Sequence, residues 1–378
     1  VLISTVGGTL SRSYDDRTLY ETSSDFHISG FPQYLTTATQ ELKEKLVPAL
    51  GKSQISGAIR GPGSLGANFS GQTFEVLGVN TREFHGLSWY REDFSTSSLT
   101  ELIRELRPPP TNSPITLPKD STHFGLWVKP SEVFPLMVLW AVFEDSTGKI
   151  GTASLGYTGP AEWHLKEVKL PEFLTHPVNL VSIQLYEPVN GPNGTPGWIS
   201  FDNLHVTGVD GQIEMLEDFE KDELSWIALT VSPISTDSIT SQSTDVMDGN
   251  KSGIFSFSKD TDQGIRGFYR NQTGGLLPAI VSNSFMAVTQ TQVNQSIVVN
   301  IKGRIIPIEI VDAVGFFPSL DPQGAGFIVT DGDRLMSHLN MLNPSMPVGP
   351  NELFVNINDL PYEQAKNTLE QLASHATL

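Results

Sequence analysis

The chain of 378 residues contains no cysteine. Thiol catalysis, disulfide bonds and thiolate metal sites are therefore excluded. Positive charge is also scarce, because 24 Lys and Arg stand against 42 Asp and Glu and leave a net charge of −18. Since nucleic-acid affinity depends on Lys and Arg that contact phosphates, this balance argues against a nucleic-acid partner. It equally disfavours docking on an anionic membrane surface.

Long hydrophobic runs are missing as well. No apolar run approaches the ~20 residues that span a bilayer, and we find neither a start methionine nor a signal peptide. We therefore expect the chain to be the soluble part of a larger protein. The chain is instead rich in turn-forming residues, with 33 Gly and 25 Pro between short apolar segments. This composition favours β-rich architecture over helical bundles.

The most informative segment, residues 276–320, contains a hairpin pattern. Ile297–Ile301 is apolar and rich in β-branched residues, Lys302-Gly303 has the length of a tight turn, and Ile305–Val314 continues as a second apolar run. Two such runs separated by two residues predict a β-hairpin.

A helix and a domain boundary are predicted near residue 100. Ser98 and Glu101 have the spacing of a capping box. Apolar residues then follow at i, i+3, i+4 and i+7, which predicts an amphipathic helix. The three prolines 108–110 end this helix and begin a linker-like stretch.

The pattern of elements divides the chain into three segments. Residues 113–273 contain short aromatic and β-branched runs separated by turns, which predict an all-β jelly-roll sandwich. Residues 1–112 and 274–378 mix helical and strand patterns. We predict that these two segments are halves of one discontinuous α+β domain, into which the sandwich is inserted.

The outer segments carry an ordered series of motifs that resembles a known family. The motifs are TLSRSYDDRTLYETSSDFHI (9–28), EVLGVNTREFHGLSWYREDF (75–94), LLPAIVSNSF (276–285), GAGFIVTDGDRLMSHLNML (324–342) and NELFVNI (351–357). In this order they resemble the extracytoplasmic domain of ABC-transporter permeases of the FtsX/MacB type. The resemblance implies a MacB-type periplasmic core for the α+β domain.

The central segment resembles a different group of proteins. GWISFDNLHVTG (197–208) looks like the final strand of galactose-binding-like or carbohydrate-binding-module sandwiches, and MLEDFEKDELSWIAL (215–229) looks like their first strand. Because the last strand precedes the first, the resemblance suggests a circularly permuted sandwich.

These resemblances imply a non-catalytic role in an ABC transporter. The chain would be the extracytoplasmic region of a permease, tethered to the bacterial plasma membrane, on the cell surface or in the periplasm. Its partners would be the membrane helices of the same permease, the cytoplasmic ABC ATPase indirectly, a glycan or envelope protein, and a second copy in the intact transporter. The alternative is a secreted carbohydrate-binding protein or glycosidase accessory module.

Aromatic residues of the sandwich are the candidate ligand contacts, because aromatic rings stack on the faces of sugar rings. Trp127 and Trp140 lie inside strand patterns, so we expect them in the core. Trp163 and Trp198 each follow a Gly-Pro or Pro-Gly step in a loop. We therefore predict a ligand site whose residues are Tyr157, Trp163, Trp198 and Asp202.

Acidic residues of the sandwich admit two further interpretations. Asp202, Asp218 and Glu220 could hold a structural Ca²⁺ through their carboxylate oxygens, and no other cofactor is expected. Asp202 is also a good turn former at the end of a strand. A glycosidase would need two carboxylates on either side of one bond, and this enzymatic interpretation remains a third hypothesis.

Overall fold

The structure, a computed structural model, describes residues 16–31, 38–65, 72–107, 115–146, 148–187, 196–229, 236–258, 264–270, 276–342 and 346–372. The chain forms two compact units. Unit 1 comprises Val1–Pro108, Leu276–Leu339 and Met346–Leu378. Unit 2 comprises Pro109–Gly275 and Asn340–Ser345.

The secondary structure is dominated by strands. The helices are α1 (Ala38–Ala49), α2 (Leu99–Glu105), α3 (Asn283–Thr289), α4 (Gly332–Leu342) and α5 (Tyr362–Leu372), with further helical turns at residues 16–22. The strands are β1 (Phe26–Ile28), β2 (Gln54–Leu65), β3 (Thr73–Val79), β4 (Ile115–Leu117), β5 (Ser121–Pro130), β6 (Val138–Asp145), β7 (Ile150–Tyr157), β8 (His164–Lys169), β9 (Val178–Glu187), β10 (Gly197–Gly208), β11 (Ile213–Glu217), β12 (Ile227–Leu229), β13 (Ser238–Gln242), β14 (Ser252–Phe257), β15 (Gly264–Tyr269), β16 (Leu277–Ser282), β17 (Ser296–Ile301), β18 (Arg304–Val314), β19 (Phe327–Asp331) and β20 (Glu352–Asn356).

Unit 1 is built on an eight-stranded sheet with the order β1-β20-β2-β17-β18-β16-β19-β3. Because β3 also pairs with β2, the six strands from β2 to β3 close into a barrel. Strands β20 and β1 extend this barrel from β2. β1 and β20 are antiparallel, and Phe26 at the start of β1 lies opposite Val355 near the end of β20.

The predicted fold class is wrong. We expected a discontinuous α+β domain of the MacB type around the inserted jelly roll, but strands account for 44% of the described residues and helices for 18%. In the described residues the helices have only 7 to 12 residues, and a barrel stands where a helix-rich core was expected. The amphipathic helix predicted after Ser98 is present as α2, but closure of the barrel depends on pairing between strands distant in sequence, which periodicity does not report.

Two local predictions are confirmed by the backbone. β17 and β18 form the hairpin, and Lys302 and Gly303 at its turn have φ values of 50° and 78°. Two consecutive positive φ angles are the geometry of a type I′ turn, whose twist matches that of the two strands. Ser98 caps α2 with the full capping box, because its side chain accepts the Glu101 N–H and the Glu101 carboxylate accepts the Ser98 N–H.

Unit 2 is a sandwich of two six-stranded sheets, which is compatible in part with the predicted jelly roll. Sheet I has the order β13-β14-β10-β5-β8, with β11 also paired to β10. Sheet II has the order β12-β15-β9-β6-β7, with β4 also paired to β9. The inward-facing residues form one core that contains many phenylalanines: Phe124, Phe134, Phe143, Phe201, Phe219, Phe255, Phe257 and Phe268.

Candidate functional site

The outer face of sheet I, which points away from the sandwich core, carries tryptophans and polar side chains. In β5, Phe124, Leu126 and Val128 are buried in the core. Because side chains alternate along a strand, Trp127 and Lys129 lie on the opposite face, and both are only partly buried. The same alternation in β10 places Trp198, Ser200 and Asp202 on the outer side, opposite the core residues Ile199 and Phe201.

The register of sheet I aligns these side chains in rows across the strands. Trp198 lies opposite Ser256 of β14, which lies opposite Ser238 of β13. In the next row, Lys129 lies opposite Ser200, which lies opposite Ile254. In the third row, Leu165 lies opposite Trp127, which lies opposite Asp202. We call the surface formed by Trp127, Lys129, Trp163, Trp198 and Asp245 the tryptophan face.

Trp163 is attached to this face by a hydrogen bond. Its indole N–H donates to Oδ1 of Asp245 at 3.1 Å, and the same oxygen accepts a hydrogen bond from the Lys129 ammonium at 2.9 Å. The Lys129 and Asp245 side chains are each about a quarter exposed, at 28% and 23%. One carboxylate thus holds an aromatic side chain from a loop against a lysine from a central strand.

A polar network holds the loop that carries Asp245. The backbone carbonyl of Asp245 accepts the Ser252 hydroxyl at 2.6 Å and the Gln242 side-chain amide at 3.3 Å. The Gln242 amide also donates to the hydroxyl of Ser200 at 2.9 Å. Because both ends of this loop are bonded to the sheet, the Asp245 carboxylate has a defined position before any ligand binds.

Asp202 lies beneath the same loop and is fully buried. Its Oδ1 accepts the Asn203 N–H at 2.8 Å, and its Oδ2 accepts the N–H groups of Met247 and Asp248 at 3.0 and 3.2 Å. Desolvation is the largest influence and raises the pKa of Asp202, although the three N–H groups act in the opposite direction. The structure therefore shows Asp202 as a side chain that holds the loop from below.

Glu220 holds the far end of the same loop. Its Oε1 accepts the N–H groups of Asn250 and Lys251 at 2.7 and 3.1 Å, and these hydrogen bonds lower the pKa of the Glu220 carboxyl. Gly249 is needed at this contact, because its φ is 74° and a Cβ atom there would lie 2.1 Å from Oε1 of Glu220. Asp218 accepts the Glu220 N–H at 3.2 Å.

The three carboxylates predicted to hold calcium thus all accept backbone N–H groups. A calcium ligand set consists of oxygen atoms directed at one cation, whereas the oxygens of Asp202 and Glu220 point toward hydrogen-bond donors of the loop. Within the described residues, no group of three or more His, Asp or Glu side chains has an arrangement that could hold a metal ion.

Tyr157, the fourth predicted ligand residue, lies on sheet II. It ends β7, lies opposite Val138 of β6, and is 60% exposed. Val138 in turn lies opposite Tyr186, which is also exposed. The structure therefore brings Trp163, Trp198 and Asp202 to one sheet of the sandwich and places Tyr157 on the other.

The expectation that Trp127 and Trp140 belong to the core is wrong. Both alternate with core residues on their strands and face outward, Trp127 from sheet I and Trp140 from sheet II. The tryptophan that does enter the core is Trp226, whose ring packs edge-to-face against Phe268 at 5.1 Å.

Sequence reasoning missed Trp127, Lys129, Gln242 and Asp245. A signal for the first two was present, because Lys129 lies two residues after Trp127 and a lysine rarely faces a core. Residues two apart share a face of a strand, so the lysine indicates that Trp127 faces solvent too. No comparable signal exists for Asp245, because its position depends on a loop folding back over the sheet.

Comparisons with known proteins do not assign the chain to a family. No family model matches the chain, and no curated protein matches it. Among the described residues, the helices lack the combination of length and apolar character that crossing a bilayer requires.

Proposed function

We propose that the chain is a non-catalytic binding protein and that the tryptophan face of unit 2 binds a glycan. The observation that carries this proposal is the shared Asp245 oxygen, which holds the Trp163 indole and the Lys129 ammonium on a face that also carries Trp127 and Trp198. Indole rings supply apolar surface for the faces of sugar rings. The neighbouring hydroxyl, amide and carboxylate groups can exchange hydrogen bonds with sugar hydroxyls.

The same geometry favours binding over glycoside hydrolysis. Hydrolysis requires two carboxylates on either side of the scissile bond. On this face, Asp202 is buried under the loop with its oxygens bonded to backbone N–H groups, and Asp245 is paired with Lys129. Both carboxylates therefore support the architecture of the face.

The experiment that tests glycan binding compares Trp163→Ala with a matched aromatic control. We expect the wild-type chain to bind at least one oligosaccharide on a glycan array, and Trp163→Ala to weaken that binding at least about tenfold, which corresponds to about 1.4 kcal/mol. Tyr186→Ala removes an exposed aromatic ring from sheet II, and we expect it to bind as the wild type does. If Trp163→Ala and the wild type bound the oligosaccharide with equal affinity, the ligand would bind elsewhere on the protein.

A second function is favoured by a separate observation in unit 1. We propose that this unit connects the binding unit to the membrane helices of an ABC permease, whose ATPase would lie on a separate subunit or domain. The support is that β1 and β20 are neighbours and that Phe26 and Val355 lie opposite each other, so the first and last described strands of the unit lie side by side at one edge of the sheet. Two membrane helices that flank the unit could both be reached from such an edge.

The full-length gene tests this second function. Four or more hydrophobic spans of ~20 residues, with one directly before and one directly after this chain, are the expected result. A signal peptide followed by a hydrolase domain would instead support a secreted carbohydrate-binding accessory protein, and it would refute the permease proposal without affecting glycan binding.

A further inference from the structure

The charged side chains on the tryptophan face are all bonded to partners within the protein. The rows defined above contain two charged side chains among the described residues, Lys129 and Asp202. Lys129 is ion-paired with Asp245 at 2.9 Å. Asp202 is buried, and its two oxygens accept three backbone N–H groups. A ligand on this face therefore meets no lysine that lacks a carboxylate partner in these rows.

The remaining polar groups beside Trp198 are uncharged. Ser256 and Ser238 continue its row across β14 and β13, and Thr240 lies opposite Ile254 one row further. The Thr240 side chain is exposed, and those of Ser238 and Ser256 are partly exposed. Hydroxyl groups donate and accept hydrogen bonds without carrying charge, which matches the hydroxyl groups of a neutral sugar.

Anion recognition needs a different set of groups. Sites for carboxylate, sulfate or phosphate use Arg or Lys side chains that are free to form charge-assisted hydrogen bonds. The chain as a whole carries a net charge of −18, and this charge repels polyanions at long range. Both the Lys129–Asp245 ion pair and the negative electrostatic field of the chain thus disfavour binding of an acidic ligand.

We propose that the tryptophan face selects uncharged glycans and rejects acidic ones, including uronate, sulfated and phosphate-containing polymers. This proposal rests on the glycan-binding function proposed above and narrows its ligand class. The Lys129–Asp245 ion pair is the selectivity element, because it holds Trp163 in place and simultaneously neutralises the only lysine of the three rows in the described chain.

The test measures the complete chain against neutral oligosaccharides and against polygalacturonate and heparin. We expect neutral ligands to bind with less than about a twofold change in affinity between low and moderate salt, because no net charge is neutralised on binding. We expect the acidic polymers to bind at least about tenfold more weakly than the best neutral ligand. Preferential binding of an acidic polymer would refute the proposed selectivity for uncharged glycans and would still support glycan binding. No detectable binding to any of the ligands would refute both proposals.

Asp245→Asn provides a gain-of-binding test. It leaves the amide oxygen as an acceptor for Trp163 and leaves Lys129 without its anionic partner. We expect this variant to gain at least about fivefold in affinity for heparin at low salt, and to lose that gain at high salt. Glu83→Gln is the matched control, because it changes the net charge equally and frees Lys43 from its 3.0 Å ion pair in unit 1. An equal gain in both variants would show that only net charge matters, and would refute the role of the ion pair.

Discussion

A substitution at Asp202 tests whether this side chain contacts the ligand or only supports the structure of the site. Asp202→Ala removes the acceptor of three backbone N–H groups, those of Asn203, Met247 and Asp248. A buried donor without a partner costs about 1–3 kcal/mol. The side chains of Met247 and Asp248 are exposed, so we expect their N–H groups to recover hydrogen bonds with water and the total loss to be about 2 kcal/mol.

Thermal unfolding followed by circular dichroism measures this loss. For a unit of this size, about 2 kcal/mol corresponds to a fall in Tm of about 4–8 °C for the transition of unit 2. Hydrogen exchange adds a local measurement, and we expect faster exchange of the Met247 and Asp248 amides in the variant. Asp210→Ala is the control, since this exposed carboxylate accepts a single N–H, that of Gln212, and its loss should cost under about 1 kcal/mol.

Asp202→Asn refines the same test. The amide keeps one oxygen acceptor and replaces the other with an NH₂ group, so we expect about half of the destabilisation of Asp202→Ala. The reasoning would be refuted by an Asp202→Ala variant with wild-type stability and wild-type exchange at residues 247 and 248. Lost glycan binding in such a variant would then make Asp202 a direct ligand contact.

Three further predictions follow from the described contacts. The pKa of Glu220 is lowered from 4.5 in the folded state, so the ionised carboxylate contributes stability above pH 4.5, and this contribution is lost as the pH falls through the folded-state pKa. Acidification should therefore destabilise the wild type more than it destabilises Glu220→Gln. Gly303→Val places a β-branched residue at a φ of 78° and should destabilise unit 1 by about 1–2 kcal/mol in urea unfolding, with the transition of unit 2 unchanged. Ser98→Ala removes the capping-box acceptor of α2 and should cost about 1 kcal/mol by the same measurement, whereas Ser98→Asp should retain most of the stability.

Much of the local structure was predictable because it depends on neighbours in the chain. The hairpin at Lys302-Gly303 follows from two β-branched runs and a two-residue gap, and the cap of α2 follows from Ser98 and Glu101. The expectation for Trp127 was wrong, because Trp127 alternates with the buried residues of β5 and shares the outer face with Lys129.

The sequence predicted only part of the candidate site. Trp163 and Trp198 were predicted as ligand residues from their positions after Gly and Pro. In the structure, Trp198 lies on β10 of sheet I, and Trp163 donates a hydrogen bond to Asp245 beside the same sheet. Tyr157 was predicted with them, but the strand that it ends belongs to sheet II. Sequence distance is a poor guide here, because the six residues from Tyr157 to Trp163 lead from one sheet of the sandwich to the other.

The sequence by itself determined which short segments become strands and turns, and it excluded thiol chemistry and a basic nucleic-acid surface. Only the tertiary structure decided that β2 and β3 close a barrel with strands from the far end of the chain, and that Asp245 reaches Trp163 across 82 positions. The physical reason is that hydrophobic periodicity and turn geometry act between near neighbours, whereas strand pairing and loop anchoring depend on the whole chain being folded.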